Sequence, residues 1–213
     1  MEKIKKILIG TNNIGKYKEL KDLLPKSIAK YSPIDFKILS PKETGVNFEQ
    51  NSFIKASYFS KKTNLVCLAD DSGLEIDILK GAPGIYSSRW AGKKNDFNLG
   101  IKKVFKEISK IKNMEKIKKK ARFICCLTLF FPSGESHTKK GIINGQIILK
   151  KRGKKGFGYD SIFLPSGYSQ TFGEMDPKIK ISIDHRYKAY SKLKFFFWLI
   201  NFDEFFFINF INF

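Results

Sequence analysis

The chain is poor in what a disulfide-stapled or zinc-bound domain needs. It has three cysteines in 213 residues, Cys67, Cys125 and Cys126; the count is odd and no C-x-x-C occurs. That excludes a disulfide framework or a zinc site and fits a reducing cytoplasm. All three lie in apolar, strand-like runs, where free Cys acts as a small hydrophobe. Near the N-terminus the apolar stretch Ile7–Ile9 is too short for a signal-peptide core and reads as a buried strand. There is no polar low-complexity tract, no internal repeat, no Walker A spacing and no recognised nucleic-acid motif. Acidic residues are scarce, 20 against 40 Lys plus Arg, for a formal net charge of +20. Such an excess favours polyanionic partners: nucleotides, nucleic acid or an anionic membrane. Lys dominates it, however, and Ile, Asn and Phe are abundant, as AT-rich coding produces. The charge by itself selects no partner, and its scatter along the chain argues against a dedicated nucleic-acid module.

What is present is enough apolar residue, 42%, to build one domain or one domain with two lobes. The first seventy residues alternate strand and helix: a strand at Lys6–Gly10, a helix over Lys16–Leu24 stopped by Pro25, a strand at Phe36–Leu39, a helix over Phe48–Lys62 and a strand at Leu65–Ala69. This is the pattern of an α/β fold with a mixed or parallel sheet. Further on come a Gly/Pro-punctuated loop at Gly81–Gly92 and a helix at Asp96–Lys112. Strands follow at Ala121–Phe131, within His137–Leu149 and at Ile162–Leu164, paired antiparallel where the connections are short. Asp176-Pro177 caps one helix and Asp184 caps a last one through Leu193. Phe195–Phe213 holds nine Phe. Asp203 and Glu204 would sit mid-span in a membrane, at about 2.5–3.5 kcal/mol each, so a packed tail is expected rather than an anchor.

Five segments carry chemistry. Thr11-Asn12-Asn13-Ile14-Gly15-Lys16 stands at a strand-to-helix junction, where free N–H groups and a Lys make an anion site, or simply a capped turn. Asp70-Asp71-Ser72-Gly73 ends an apolar strand, where ligands bind in α/β sheets. Its carboxylates suit Mg²⁺ and a water, with one facing metal and the other bracing the loop; a plain Asp turn is the bland alternative. Glu43 before the Phe48 helix, with Lys55 beyond it, offers a second carboxylate and a phosphate contact, although an isolated loop Glu is usually solvated. Gly156-Phe157-Gly158-Tyr159-Asp160 sets aromatics to lie against a base, or makes a tight turn with core aromatics. Lys180 and His185-Arg186 can donate to a keto oxygen, or be solvated.

In this order the segments resemble the inosine triphosphate pyrophosphatase family, the RdgB-like XTP/dITP diphosphatases. The matching residues are Thr11–Lys16, Glu43–Gly45, Phe48–Ala56, Ala69–Leu74, Gly81–Arg89, Gly156–Phe163, Thr171–Glu174, Lys180 and Ile183–Arg186, spanning roughly residues 5–195. The resemblance implies an α/β fold with a mixed central sheet and flanking helices, in two lobes around a nucleotide cleft, and commonly a homodimer. It implies hydrolysis of the triphosphates of inosine, deoxyinosine and xanthosine to monophosphate and pyrophosphate. Asp71 would be the general base and hold Mg²⁺ with Glu43. Thr11, Asn12, Asn13, Ile14, Gly15, Lys16, Lys55 and Ser72 would take the triphosphate. Phe157, Gly158, Tyr159, Asp160, Lys180, His185 and Arg186 would take the base. The implied setting is cytoplasmic, with no membrane and no specific nucleic acid; a Maf-like pyrophosphatase acting on other nucleotides is the related alternative. The chain departs from the pattern at Asn12 (usually Gly, and tolerant of left-handed backbone), Gln50, Ser161, Gly173 and Asp184. Asp184 stands where Ser is usual and adds negative charge beside the base residues. The Phe-rich segment matches nothing in the family.

Overall fold

The computed structural model describes residues 4–92 and 95–201. Six strands form one mixed sheet in the order β2-β1-β3-β4-β5-β6. Strand β1 (Lys6–Ile9) leads into α1 (Ile14–Leu23), and β2 (Ala29–Tyr31) returns parallel to β1. Helix α2 (Phe48–Thr63) crosses over to β3 (Val66–Ile76), which is also parallel to β1. A short helix α3 (Ser87–Trp90) and α4 (Phe97–Ser109) follow. Then β4 (Lys120–Phe130), β5 (Ser136–Ile147) and β6 (Phe163–Pro165) add antiparallel. Helices α5 (Pro177–Ile183) and α6 (His185–Asn201) close the described chain.

Helix starts are set locally. Asn13, Asn47, Asp96 and Asp176 each accept a backbone N–H of the first turn, satisfying donors the helix itself leaves free. Asp184 accepts from Tyr187 N at 2.8 Å and so caps α6.

The long strands run through two cores, which make two lobes. In the first, one sheet face packs Ile7, Ile9, Leu68, Cys125 and Leu127 on α1 and α6 through Leu20, Ala189, Leu193 and Phe197. Its other face packs Leu8, Cys67 and Ala69 on Ala56 and Phe59 of α2. In the second lobe Leu74, Ile76, Phe123 and Ile143, farther along the same strands, pack on Ile101, Val104 and Ile108 of α4 and on Phe163 and Phe172. β1 pairs with β3 only from Val66 to Leu68, whereas β4 pairs with it from Cys67 to Ile76. One edge of β3 therefore carries no strand partner from Ala69 to Gly73, between the lobes; beyond it Ser87 accepts from Leu74 N and Glu75 bridges to Pro83.

Four expectations change. Phe36–Leu39 is not a strand. Pro33–Phe36 is a 3₁₀ turn, because Ser32 and Asp35 cap it reciprocally and Pro33 starts it; the second strand lies earlier, at Ala29–Tyr31. Asp70–Gly73 does not end β3 but lies within it, since β4 continues the ladder past the apolar run. His137–Leu149 yields one unbroken strand, β5. The last helix passes Leu193 to Asn201, with Phe197 buried in the first core; the rest of the Phe-rich segment, 202–213, lies outside the described residues. Among the described residues no helix is long and apolar enough to cross a membrane.

Candidate active site

The uncovered stretch of β3 floors a cleft between the lobes. Asn13, Lys16, Glu43, Asp71, Ser72, Phe157, Asp160, His185 and Arg186 reach it from five separate parts of the chain, and Phe97 and Phe123 help to line it. Adjacent strand residues point to opposite sides, and the two aspartates accordingly differ. Asp70 is wholly buried: Lys16 Nζ sits 3.0 Å from Oδ2, Ser72 Oγ donates to it at 2.9 Å, and Arg186 Nε lies 3.8 Å away. Burial works against its charge, yet the Lys16 and Arg186 cations outweigh burial and hold its pKa well below the usual carboxylate range. Asp71 faces the cleft. Burial pushes its pKa up, and Lys55 and Lys16 only partly offset this.

Lys55 is buried between two carboxylates, 2.6 Å from Glu43 Oε1 and 3.3 Å from Asp71 Oδ1. Burial disfavours its charge, but Asp71, Asp70 and Glu43 together raise its pKa. Asp71 Oδ2 is left buried without a partner. Two carboxylates, one with an unpartnered oxygen, suit Mg²⁺, which takes one or two carboxylates together with phosphate oxygens. Among the described residues no group of three or more His, Cys, Asp or Glu could hold a metal.

At the other end of the cleft, Phe157 lies under two cations, Lys180 Nζ at 4.9 Å and Arg186 Cζ at 5.3 Å from the ring centroid. Asp160 Oδ2 accepts from Phe157 N at 2.8 Å and from Lys180 Nζ at 2.6 Å. Glu19 on α1 takes both Lys180 and Arg186 Nη1, each at 2.8 Å. His185 stacks on Phe123 at 4.9 Å; burial, with Arg186 and Lys180 nearby, drives its pKa well down and keeps it neutral.

This chain's sequence matches the profile of the Ham1 family over residues 7–196. The chain belongs to the Ham1 family. A dITP/XTP pyrophosphatase of Bartonella quintana is 41% identical over 202 residues, covering 89% of this chain and 94% of that protein. One from Oceanobacillus iheyensis is 40% identical, covering 90% and 97%. Among solved structures, a HAM1 protein from Coxiella burnetii superposes with a TM-score of 0.80 at 34% identity, covering 90% of this chain and 97% of that one. The Ham1 protein of Staphylococcus aureus gives 0.78 at 33%, with the same coverage.

Within this Ham1 chain the residues singled out from sequence divide into those that face the cleft and those that hold it. Asn13, Lys16, Glu43, Asp71, Ser72, Phe157, Gly158, Tyr159, Asp160, His185 and Arg186 line it. Thr11 is buried and accepts from Asn13 N at 3.2 Å, shaping the turn. Asn12 is not left-handed; its amide donates to Ser40 Oγ at 3.0 Å, tying the first loop to the Glu43 loop. Ile14 points to solvent, 70% exposed. Gly15 lies directly under Phe157, where a Cβ would come within 2.7 Å of the ring. Lys55 and Lys180 sit behind the lining in buried ion pairs. Tyr159 spends its hydroxyl on Ser87 O at 2.8 Å, so its ring lines the wall while its polar end is engaged. Gln50 accepts from Val46 N at 3.0 Å, a role that Gln performs as well as Glu. Sequence reasoning missed Glu19 and Phe123. Glu19 sits one helical turn from Lys16, but only the fold brings residues 161 and 167 positions away onto it.

Proposed function

We propose that this chain hydrolyses non-standard purine nucleoside triphosphates, those of inosine, deoxyinosine and xanthosine, to the monophosphate and pyrophosphate, with Mg²⁺. The observation that carries this reading is the division of labour between adjacent aspartates, Asp70 charge-locked by Lys16 and Arg186, and Asp71 facing the cleft with a raised pKa and a free oxygen. Relatives around 40% identical that are named dITP/XTP pyrophosphatases support it.

In the mechanism, Asp71 takes a proton from a water aimed at the α-phosphorus. The new P–O bond forms as the α–β bridging oxygen leaves with pyrophosphate. Lys16, with the free N–H groups at the start of α1, holds the phosphates. Lys55 sets the carboxylates of Glu43 and Asp71 in place rather than touching substrate. Glu43 and Asp71 would hold Mg²⁺, which when bound would supply charge neutralisation on the phosphates. Phe157 packs the base. His185 and Arg186 donate to the keto oxygen at purine position 6, where the adenine amine would set donor against donor.

The cleft's free volume is about 70 Å³, against roughly 300 Å³ or more for ordinary small-molecule sites. Nucleotide entry therefore requires the lining to move. Phe157 lines both this cleft and a neighbouring cavity of about 790 Å³. The reading extends to a cytoplasmic homodimer, which light scattering tests.

The decisive experiment is pyrophosphate release from the triphosphates of inosine, xanthosine, guanosine and adenosine, with Mg²⁺ and with EDTA. Fast, EDTA-sensitive release from the first two and little from the last two is expected. Release mainly from other nucleotides would move the chain to a Maf-like role.

A further inference from the structure

The Gly81–Arg89 segment has no place in the chemistry above, yet it grips the site from outside. Ser87 Oγ donates to Gly84 O at 2.7 Å and accepts from Leu74 N at 2.9 Å, fixing the segment to β3. Gly73 makes this approach possible, since a Cβ there would fall 2.4 Å from Gly84 O. From this anchored base the Arg89 guanidinium lies over the Tyr86 ring, 4.9 Å from its centroid, and Nη2 donates to the backbone carbonyl of Glu43 at 3.0 Å.

Glu43 needs such a hold. It sits in residues 38–47, which form neither helix nor strand. Side chains from elsewhere pin that loop: Asn12 on Ser40, Asn51 Oδ1 on Gly45 N at 2.8 Å, Gln50 on Val46 N, and Arg89 on Glu43 itself. Of these, only Arg89 bonds to the residue whose carboxylate must face Asp71. Lys55 pulls the Glu43 side chain toward Asp71, but a like-charged pair closes only if the backbone behind it cannot retreat.

We infer that Arg89, steadied by Tyr86, is a positioning residue: it fixes the Glu43 backbone so that the Glu43 and Asp71 carboxylates face one cation together. The inference rests on the proposed function for its activity readout and stands independently in its other two. The side chain is exposed, so its replacement leaves the fold intact. Three measurements on wild type, Arg89→Ala, Arg89→Lys and Tyr86→Leu test it: the Mg²⁺ dependence of pyrophosphate release, Mn²⁺ binding to the nucleotide-free protein by water-proton relaxation, and amide exchange across residues 39–47. In Arg89→Ala the Mg²⁺ half-saturation should rise by about tenfold, as when partners that orient a metal ligand are removed. The KM for nucleotide at saturating Mg²⁺ should hold. Mn²⁺ binding should weaken in step and loop exchange should quicken. Arg89→Lys should recover part of each effect, and Tyr86→Leu should show a milder form. A raised nucleotide KM with unchanged Mg²⁺ half-saturation would mean that Arg89 touches phosphate directly, overturning the inference; unchanged loop exchange and Mn²⁺ binding would overturn it too. If wild type releases no pyrophosphate, the functional reading fails while the exchange and Mn²⁺ measurements still decide the role of Arg89.

Discussion

Arg186 Nη1 lies 3.1 Å from His185 Nε2, and that one contact sets the histidine tautomer. Arg has no acceptor, so Nε2 must accept. Buried and neutral, the ring then carries its proton on Nδ1, which is buried without a partner; in the proposed function this is the donor to the purine keto oxygen. Replacing His185 by Phe should cut kcat/KM for inosine triphosphate roughly tenfold to a hundredfold, the size of one lost buried hydrogen bond, and should leave adenosine triphosphate nearly unaffected. His185→Asn, whose amide N–H sits near the position of Nδ1–H, should retain part of the selectivity. The ratio of the two kcat/KM values is the measurement, and equal losses on both substrates would count against this donor.

Asp71→Asn should reduce pyrophosphate release by about 10²–10⁴-fold, the range for removing a general base. Nucleotide binding should survive if, as proposed, the phosphates are held by Lys16 and the start of α1. Steady-state kinetics with a competition binding assay separates the two effects; retained turnover would remove Asp71 from the chemistry.

Burial, with Glu19 adding to it, pushes Asp184 up to about 6, and Arg186 and Lys180 only partly offset the rise. A carboxyl with a raised folded-state pKa is best tolerated when protonated. The charge-burial penalty is therefore absent below about pH 4 and destabilises the fold progressively as pH rises from its ordinary value through about 6. Asp184→Ser keeps an N-cap acceptor for Tyr187 N and removes the charge. At pH 8 this variant should be more stable by about 2–3 kcal/mol, with the gain vanishing at pH 4. Urea unfolding at the two pH values checks the sign; a gain at pH 4 equal to that at pH 8 would exclude charge burial as its cause.

Gly15→Ala places a Cβ within 2.7 Å of the Phe157 ring. Overpacking of this kind costs about 1–3 kcal/mol and should appear as a raised KM for nucleotide, since Phe157 is displaced. In a Phe157→Leu background the same change should cost much less. A double-mutant cycle on KM reports the coupling, and additive effects would mean that the two do not meet in the working enzyme.

The alternation of apolar runs and caps was legible from residues 6 to 71 and again at Asp176 and Asp184, because those signals act over one turn of chain. The false strand at Phe36–Leu39 shows their limit: three apolar residues around Lys37 look like a strand until Pro33 and the Ser32–Asp35 cap claim the segment for a turn. Asp71, Glu43, Lys16 and His185 could be picked out because each stands in a short segment of unusual composition. Glu19 and Phe123 could not, since nothing beside them in the chain marks them and their partners are remote; Arg89 stands in the matching Gly81–Arg89 segment, but its bond to Glu43 spans 46 positions and shows only in the fold.

What the sequence determined by itself is the α/β class, the helix starts and the set of polar residues able to do phosphate chemistry, all properties of neighbours along the chain. Only the tertiary structure decided which aspartate is locked and which faces the cleft. It also decided that Lys55 and Lys180 hold the site from behind. The physical reason is the same in each case. A carboxylate's charge and a lysine's role depend on burial and on which opposite charge lies within about 4 Å, and β3, α1 and α6 set those distances only when they pack.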